Sequence, residues 1–275
     1  MNVPVWPVAA PTVWAFLFIL GGIGALAGGL AGALRVSLRA LTREVELAKA
    51  KANFTAMVSH ELRTPIAVLR MHAEALRDDL VVDRGKRHEF LDSMAQEALR
   101  LQRLIENLLD LGRVERGAKL YRLVPSDLAA IAHQAVAQAR QAFGDAAPEI
   151  EIEAAAGLPR ALADPDAAQQ AIANLVHNAL KYGGDPPEVG VGISHGHGRV
   201  RVAVLDRGPG IPPEQRESVF DPYVRVGQEI TRTSQGLGLG LALVRAYMRG
   251  QGGTVVLKDR PGGGSVFELD FAEEK

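Results

Sequence analysis

The sequence contains no cysteine among its 275 residues. That absence excludes disulfide bridges, thiolate metal sites and a cysteine nucleophile, and it is typical of a domain in a reducing compartment. Aromatic residues make up only 5% of the chain, so any core has to be built from Leu, Val, Ile and Ala. The net charge of −1 indicates no basic surface for nucleic acid, and we predict no nucleic-acid partner.

Charged residues are also absent from residues 1–34. The apolar run from Thr12 to Leu34 is long enough to cross a hydrocarbon core of about 30 Å as a helix. No Lys or Arg precedes this run, whereas basic residues follow it closely at Arg35, Arg39, Arg43, Lys49 and Lys51. The positive-inside rule then predicts a single pass through the cell inner (cytoplasmic) membrane, with the lipid bilayer as partner and the rest of the chain in the cytoplasm. A cleaved signal peptide ranks second, because its basic n-region is missing.

Two long amphipathic patterns follow a charged helical stretch at residues 35–53. Apolar residues recur at three- and four-residue steps over about Phe54–Leu80 and again over about Arg87–Val114, with a turn around Asp83. Two such helices form a hairpin whose own core is too small, so we predict that two copies pair into a four-helix bundle. A homodimer is also favoured by three glycines at four-residue spacing, Gly24, Gly28 and Gly32.

The residues after Pro125 alternate between helical and strand patterns, which predicts an α+β domain with a mostly antiparallel sheet. Ser126 and Asp127 can cap one helix, and Asp164-Pro165 begins another helix that ends at Gly183-Gly184. Alternating runs predict strands near 149–153, 188–194, 199–205, 254–257 and 265–271. The predicted fold class is therefore α+β, in four parts: a transmembrane helix (1–34), a connecting helix (35–53), a dimeric helical hairpin (54–118) and an α/β sandwich (119–275).

The first candidate site is the segment Ser59–Pro65 on the first helix of the hairpin. Its apolar neighbours recur at helical spacing and predict one buried face, formed by Val58, Leu62, Ile66 and Leu69. His60 lies off that face, where an exposed neutral imidazole is a competent nucleophile. Glu61 can accept a ring proton, and Thr64, one turn on, can orient a water molecule. Without further context, a surface histidine is far more often only solvated.

The second candidate site is the helical segment Asn174–Tyr182. Asn174, Asn178 and Lys181 fall on one helix face, where amide oxygens can hold Mg²⁺ and the lysine can neutralise phosphate. Tyr182 can pack against a purine. Taken alone, two Asn and a Lys at this spacing are more often an ordinary polar helix face.

Two glycine-containing segments complete the set. Asp206 follows a strand and precedes Gly208 and Gly210, so a carboxylate can reach a ligand amine while the backbone lies close to a flat ring. The segment Gly236–Gly240 opens a helix and can direct backbone N–H groups at phosphate. Each segment alone is a weak signal, because Gly/Pro turns are common.

Together and in this order, the four segments resemble the H-, N- and two G-boxes of the sensor histidine kinases of two-component systems. The segment Val219–Tyr223 resembles the F-box that lies between the two G-boxes. The resemblance covers the chain from about Ala48 to its C-terminus. It implies a protein-histidine kinase with ATP and Mg²⁺ as cofactors. Such an enzyme phosphorylates itself on His60, passes the phosphoryl group to an aspartate of a cognate response regulator, and has phosphatase activity.

The resemblance also implies roles for individual residues. His60 would be the phosphoacceptor, Glu61 its acid/base partner and Thr64 the phosphatase residue, all within a dimerisation and phosphoacceptor domain. In the catalytic ATP-binding domain, Asn178 would bind Mg²⁺ and Asp206 the adenine amino group. The other ATP-binding residues would be Asn174, Lys181, Tyr182, Gly208, Gly210, Arg225, Gly236, Leu237, Gly238, Leu239 and Gly240, with Arg225 at the γ-phosphate and the glycines in a lid.

Three other functions fit parts of this sequence. An ATP hydrolase on the same fold tends to carry a carboxylate where this chain has Asn174. A scaffold that binds ATP without catalysis does not need the His60–Glu61 pair. A metal-binding regulator would use His195 and His197, although histidines in a glycine-rich turn are usually only solvated. The spacing between the apolar run and His60 is too short for the usual signalling module, so the stimulus is not predicted.

Overall fold

The computed structural model describes residues 10–144, 147–224 and 237–274. By its internal contacts the chain divides into two units, Met1–Thr55 and Ala56–Lys275. The boundary falls inside the first helix, so each unit is described by itself.

Helix α1 runs from Ala10 to Arg77 and includes Pro65. The sequence analysis predicted a transmembrane helix, a connecting helix and the first helix of the hairpin in this stretch. The structure has one continuous helix there, because no glycine or proline interrupts residues 35–64. The prediction of a membrane span at residues 12–34 is not supported. In the part of the chain that the structure describes, no helix is both long and apolar enough to cross a membrane.

The second unit begins with the C-terminal part of α1, a turn and helix α2, Arg84–Glu115. Asp83 caps α2, because its side chain accepts a hydrogen bond from the Lys86 backbone N–H at 2.8 Å. The predicted helical hairpin is therefore confirmed. In the single chain, Ile66 of the predicted buried face is 52% exposed.

The rest of this unit is an α/β sandwich. Its helices are α3 (Leu128–Phe143), α4 (Pro165–Tyr182) and α5 (Gly240–Gly250). Its strands are β1 (Val124–Ser126), β2 (Glu151–Ala154), β3 (Ala161–Ala163), β4 (Gly190–Gly196), β5 (Arg199–Leu205), β6 (Thr254–Asp259) and β7 (Ser265–Glu273). Short 3₁₀ turns span Pro213–Gln215 and Ser218–Phe220.

The strands form one sheet in the order β1-β3-β7-β5-β4-β2, with β6 also paired to β7. Among the described strands, only β2 and β4 pair in parallel. This confirms the prediction of a mostly antiparallel sheet. The two end strands, β1 and β2, have only three and four residues.

The core lies between the sheet and its helices. Strand β5 alternates between half-buried and fully buried side chains, and its buried valines meet the apolar face of α4. That face includes Ile172, Leu175 and Val176, each no more than 1% exposed. Asp164 caps α4 by accepting from the Ala167 backbone N–H at 2.9 Å, as Asp164-Pro165 in the sequence predicted. The opposite, polar edge of α4 is thereby fixed toward the site.

Candidate functional site

A cavity of about 570 Å³ lies where α4, the end of β5 and the start of α5 meet the helical hairpin. Most of the predicted site residues line it together. They are Glu61, Asn174, Asn178, Lys181, Tyr182, Asp206, Gly210, Leu237, Gly238, Leu239 and Gly240. His60, Thr64 and Gly208 are not among the lining residues. Arg225 and Gly236 lie outside the described residues.

The Asp206 carboxylate is held in one orientation. It is 7% exposed, and its Oδ1 accepts hydrogen bonds from the backbone N–H groups of Gly208 at 2.9 Å and Ser265 at 3.1 Å. Within the described residues Oδ2 has no hydrogen bond, so this oxygen can accept one from a ligand. The tight packing requires glycine at two places. A Cβ on Gly208 would lie 2.2 Å from the Tyr182 carbonyl oxygen, and one on Gly264 would lie 2.1 Å from that of Asp206.

Helix α4 presents amide side chains to the cavity at Asn174 and Asn178. The Asn174 Nδ2 is buried and, among the described residues, lacks a hydrogen-bond partner. A buried donor without a partner costs about 1–3 kcal/mol, so its position at a cavity favours a polar ligand. Gly240, the first residue of α5, lies against Asn178. A Cβ there would be 3.7 Å from the Asn178 Nδ2.

The end of α4 adds a cation and an aromatic ring. The Lys181 Nζ lies 5.0 Å from the ring centroid of Tyr182, within the range of a cation–π contact. The Tyr182 side chain is 47% exposed at the cavity rim. Both groups can therefore change partner when a ligand enters.

The described part of the glycine-rich segment is anchored by its leucines. Leu237 and Leu239 are 4% and 2% exposed, whereas Gly238 lines the cavity with a positive φ of 66°. The Gly238 carbonyl accepts a hydrogen bond from the Tyr223 backbone N–H at 3.3 Å. Helix α5 starts directly afterwards, so its unpaired N-terminal N–H groups lie at the cavity.

His60 is exposed on α1, and its neighbour Glu61 is 8% exposed and lines the cavity. The Glu61 Oε2 lies 3.3 Å from Nη2 of Arg100 on α2. The Arg100 Nη1 also lies 3.6 Å from Oε2 of Glu97. The Thr64 hydroxyl donates to the His60 backbone carbonyl at 3.3 Å. The structure therefore holds Glu61 on the cavity side of the helix by an ion pair with α2.

Two residues that sequence reasoning left without a role meet at the cavity wall. Nη1 of Arg103 on α2 lies 3.3 Å from Nδ1 of His177 on α4. Because arginine only donates, Nδ1 accepts and the imidazole is the neutral Nε2–H tautomer. Burial, then the charges of Arg103, Lys181 and Arg100, lower the pKa of His177 to about 4. The paired arginines at three-residue spacing, Arg100 and Arg103, were the only sequence signal for this wall.

A second polar contact joins the end of α2 to α5. The Asp110 carboxylate accepts from the Tyr247 hydroxyl at 2.6 Å and from the Lys119 Nζ at 2.7 Å. Burial alone would raise the pKa of Asp110, but these two hydrogen bonds outweigh it and the pKa lies below its usual value. Burial and the Asp110 bond raise the pKa of Tyr247 well above its usual value. The pair therefore stays phenol and carboxylate at neutral pH.

Metal binding by acidic or histidine clusters finds no support. In residues 10–144, 147–224 and 237–274, no group of three or more His, Asp or Glu side chains is placed to hold a metal ion. His195 and His197 therefore belong to no such group there.

Two family models match the chain. One is the His Kinase A (phospho-acceptor) domain, at residues 50–117. The other is the family described as Histidine kinase-, DNA gyrase B-, and HSP90-like ATPase, at residues 163–275. Between them they include the hairpin and most of the cavity.

Whole-chain comparisons agree. The chain is 34% identical over 223 residues to the sensor-like histidine kinase SenX3 of Mycolicibacterium smegmatis, covering 81% of this chain and 58% of that protein. Among solved structures, full-length ShkA in complex with AMPPNP matches with a TM-score of 0.55 and 28% identity, over 80% of this chain and 46% of ShkA. The histidine kinase ThkA in complex with the response regulator protein TrrA matches with a TM-score of 0.57 and 22% identity. The match covers 81% of this chain and 61% of the matched chain. The last likeness is one of fold.

Proposed function

Because the chain belongs to the sensor histidine kinases of two-component systems, we propose that it transfers the γ-phosphoryl group of ATP to His60. It spans 58% of the length of its SenX3 relative, so the activity of the whole protein is a proposal. The observation that carries this proposal is that Asp206 and the amides of α4 line the same cavity as Glu61, the residue next to His60.

The adenine end of ATP fits the Asp206 side of the cavity. A carboxylate oxygen accepts a hydrogen bond from the exocyclic amine, and Oδ1 of Asp206 is already fixed by two backbone N–H groups. Oδ2 is the oxygen left for the base. The exposed Tyr182 ring at the rim can pack against the purine. ShkA, whose match covers 80% of the present chain, binds AMPPNP, an analogue of ATP.

The phosphates fit the opposite groups. Lys181 and the N-terminus of α5 supply positive charge, and the Asn174 Nδ2 gains a partner when a phosphate oxygen is present. We assign Mg²⁺ to the amide oxygen of Asn178, because Mg²⁺ takes few protein ligands and the rest from phosphate and water. When bound, Mg²⁺ would neutralise charge on the β- and γ-phosphates.

In the transfer, a ring nitrogen of His60 forms a bond to the γ-phosphorus. The bond from that phosphorus to the β,γ-bridging oxygen breaks, and ADP leaves with the electron pair. The proton on the other ring nitrogen passes to Glu61, our candidate base. Glu61 lies in an ion pair with Arg100 in this structure, so it has to exchange that partner before it serves His60.

The test is incubation of the purified full chain with γ-labelled ATP and Mg²⁺, beside a His60→Gln variant. We expect acid-labile, base-stable label on the parent and none on the variant. His88→Gln is a matched control, because it makes the same substitution at another exposed histidine of the hairpin. Equal labelling of parent and His60→Gln, or no labelling of a parent that binds ATP, would exclude this function.

A response regulator is the proposed acceptor of the phosphoryl group, as the ThkA–TrrA complex is one of kinase and regulator. Mixing the labelled chain with a candidate regulator should move the label to an acid-stable but base-labile aspartyl phosphate. We assign a role in the phosphatase reaction, in which water hydrolyses the aspartyl phosphate of the regulator and releases inorganic phosphate, to Thr64, which lies one turn from His60. Thr64→Ala should slow loss of phosphate from the regulator while leaving His60 labelling intact, and an unchanged loss would refute the assignment.

We also propose a homodimer through the hairpin. Apolar side chains remain uncovered on the hairpin, with Ile66 and Leu91 both 52% and Met71 56% exposed. Pairing of two hairpins would bury this apolar face, and each Å² of apolar surface removed from water stabilises the dimer by about 25 cal/mol. Sedimentation equilibrium of the full chain should give twice the mass of 29.4 kDa, whereas a monomer at micromolar concentration would contradict the proposal.

A further inference from the structure

The turn between strands β6 and β7, residues 260–264, lies beside Asp206. It contains Gly262, Gly263 and Gly264, whose φ angles are all positive at 83°, 103° and 101°. Glycine loses more backbone freedom on folding than any other residue, and three in a row offer no side chain that could anchor the turn. Apart from its own backbone hydrogen bonds, the turn therefore depends on contacts from other segments.

The Arg207 side chain supplies such contacts. Its Nη1 donates to the backbone carbonyls of Pro261 at 2.8 Å and Gly263 at 3.1 Å. Its Nε donates to Oε1 of Glu188 at 3.3 Å, and the same carboxylate oxygen accepts from Nη2 of Arg260 at 2.9 Å. Because a guanidinium carries its donors in a fixed planar fork, one side chain can hold two carbonyls of a turn and a carboxylate together.

The turn that Arg207 holds leads directly to the Asp206 carboxylate. Gly264 precedes Ser265, whose backbone N–H donates to Oδ1 of Asp206 at 3.1 Å. The Asp206 backbone N–H in turn donates to the Ser265 carbonyl at 3.0 Å. A Cβ on Gly264 would lie 2.1 Å from the Asp206 carbonyl oxygen and 2.9 Å from the Arg207 Cα, so the two segments are in close contact. A shift of the turn would therefore displace one of the two N–H groups that orient the carboxylate.

The two neighbouring residues that follow β5 point to different places. Asp206 is buried and lines the cavity, whereas Arg207 is exposed and is not among the lining residues. Successive side chains of an extended chain point to opposite sides, so one reaches the cavity and the other the turn. Arg207 can therefore act on a bound nucleotide only through Asp206 and the turn.

We propose that Arg207 is a positioning residue for base recognition: it holds the turn between β6 and β7, and the turn keeps the Asp206 carboxylate aligned with the adenine amino group. The proposal rests on the proposed function, because it uses the assignment of Asp206 to the base. The Glu188 carboxylate is 64% exposed, so its ion pair with Arg207 contributes little. The two hydrogen bonds from Arg207 to the carbonyls of the turn carry the effect.

The test compares two diphosphates that differ only in the base: ADP, and purine riboside 5′-diphosphate, which lacks the exocyclic amine. Neither has a γ-phosphate to transfer, so titration calorimetry with Mg²⁺ and the full chain measures binding alone. The parent should bind ADP about tenfold more tightly, the value of one charge-assisted hydrogen bond. Arg207→Gln should reduce this preference to about threefold or less, mostly by weakening ADP binding, because a misaligned hydrogen bond keeps only part of its strength.

Two further variants make the comparison specific. Arg207→Lys keeps the charge but loses the fork, so its preference for ADP should lie between those of the parent and of Arg207→Gln. Arg201→Gln is the matched control, since it makes the same substitution at an arginine of β5 that is paired with Asp270 of β7 at 3.5 Å. Its preference for ADP should equal that of the parent.

The outcomes separate this inference from the proposed function. If Arg207→Gln weakens both diphosphates by the same factor, Arg207 has only a structural role and the inference is overturned, as it is by no change in either affinity. In both cases the parent still prefers ADP and the proposed ATP site stands. A parent that binds both diphosphates equally overturns the Asp206 assignment together with this inference, and the labelling of His60 then decides the kinase proposal. Thermal melts check that each variant folds, and if Arg207→Gln does not, the preference of Arg207→Lys decides alone.

Discussion

Lowering the pH should destabilise this chain through the imidazole of His177. In the folded state burial and three neighbouring cations (Arg103, Lys181 and Arg100) lower its pKa to about 4, against 6.5 for an ordinary histidine. The folded state therefore resists a proton that the unfolded chain accepts. The contribution of His177 to the free energy of unfolding is fully present above pH 6.5. It is lost progressively as the pH falls from 6.5 toward 4.

The magnitude follows from the two pKa values. Each pKa unit corresponds to about 1.4 kcal/mol. Between pH 7.5 and pH 5 the folded histidine stays neutral, whereas the unfolded histidine becomes protonated below its pKa of 6.5, which is about 1.5 pH units above pH 5. This difference removes about 2 kcal/mol from the free energy of unfolding. For a domain with a total of about 5–15 kcal/mol, this is a large fraction.

The measurement is urea unfolding of the parent and of His177→Asn at both pH values. Asn offers an amide oxygen near the Nδ1 position, so the Arg103 contact is kept while the titrating group is removed. All other titrating groups are common to both proteins. The pH-dependent loss should therefore be about 2 kcal/mol larger for the parent. Equal losses in the two proteins would refute the reasoning, and so would an imidazole that titrates near pH 6.5 by NMR.

Two further predictions concern buried contacts. Tyr247→Phe removes the hydrogen bond to the Asp110 carboxylate and should cost roughly 2 kcal/mol in urea unfolding; Tyr121→Phe, whose hydroxyl bond is 3.4 Å long, should cost less, and equal costs would contradict this. Gly264→Ala places a Cβ 2.1 Å from the Asp206 carbonyl and should weaken AMPPNP binding as well as stability. Gly263→Ala shares the positive φ but meets nothing within 4 Å, so equal affinities would refute the steric argument.

Local signals in the sequence were sufficient for most elements. The Asp164-Pro165 start of α4 and the alternating strands β4 and β5 were predicted correctly, because capping and period-two burial depend on neighbouring residues. Strands β1 and β3 were missed. Each has three residues and is defined by pairing with distant segments, since Val124 pairs with Ala163 and Leu162 with Ala272.

The candidate site divides in the same way. Asn174 and Asn178 were placed on one face by helical spacing, and the cavity contains both. The Arg103–His177 contact joins residues 74 positions apart and depends on how α2 packs against α4. Nothing in either local pattern specifies that packing. The same holds for the position of Glu61 in an ion pair with Arg100 rather than at His60.

The ends of the sheet bear on solubility. An edge strand exposes unpaired backbone groups that can recruit another chain, and short length, proline and charge all oppose this. Strand β1 has three residues and carries Pro125, which has no N–H to donate. Strand β2 has four residues and carries Glu151 and Glu153. Their carboxylates would repel the same carboxylates on a second copy of the chain. The short length of these two strands, with the proline of one and the carboxylates of the other, therefore opposes the addition of a further strand at either end.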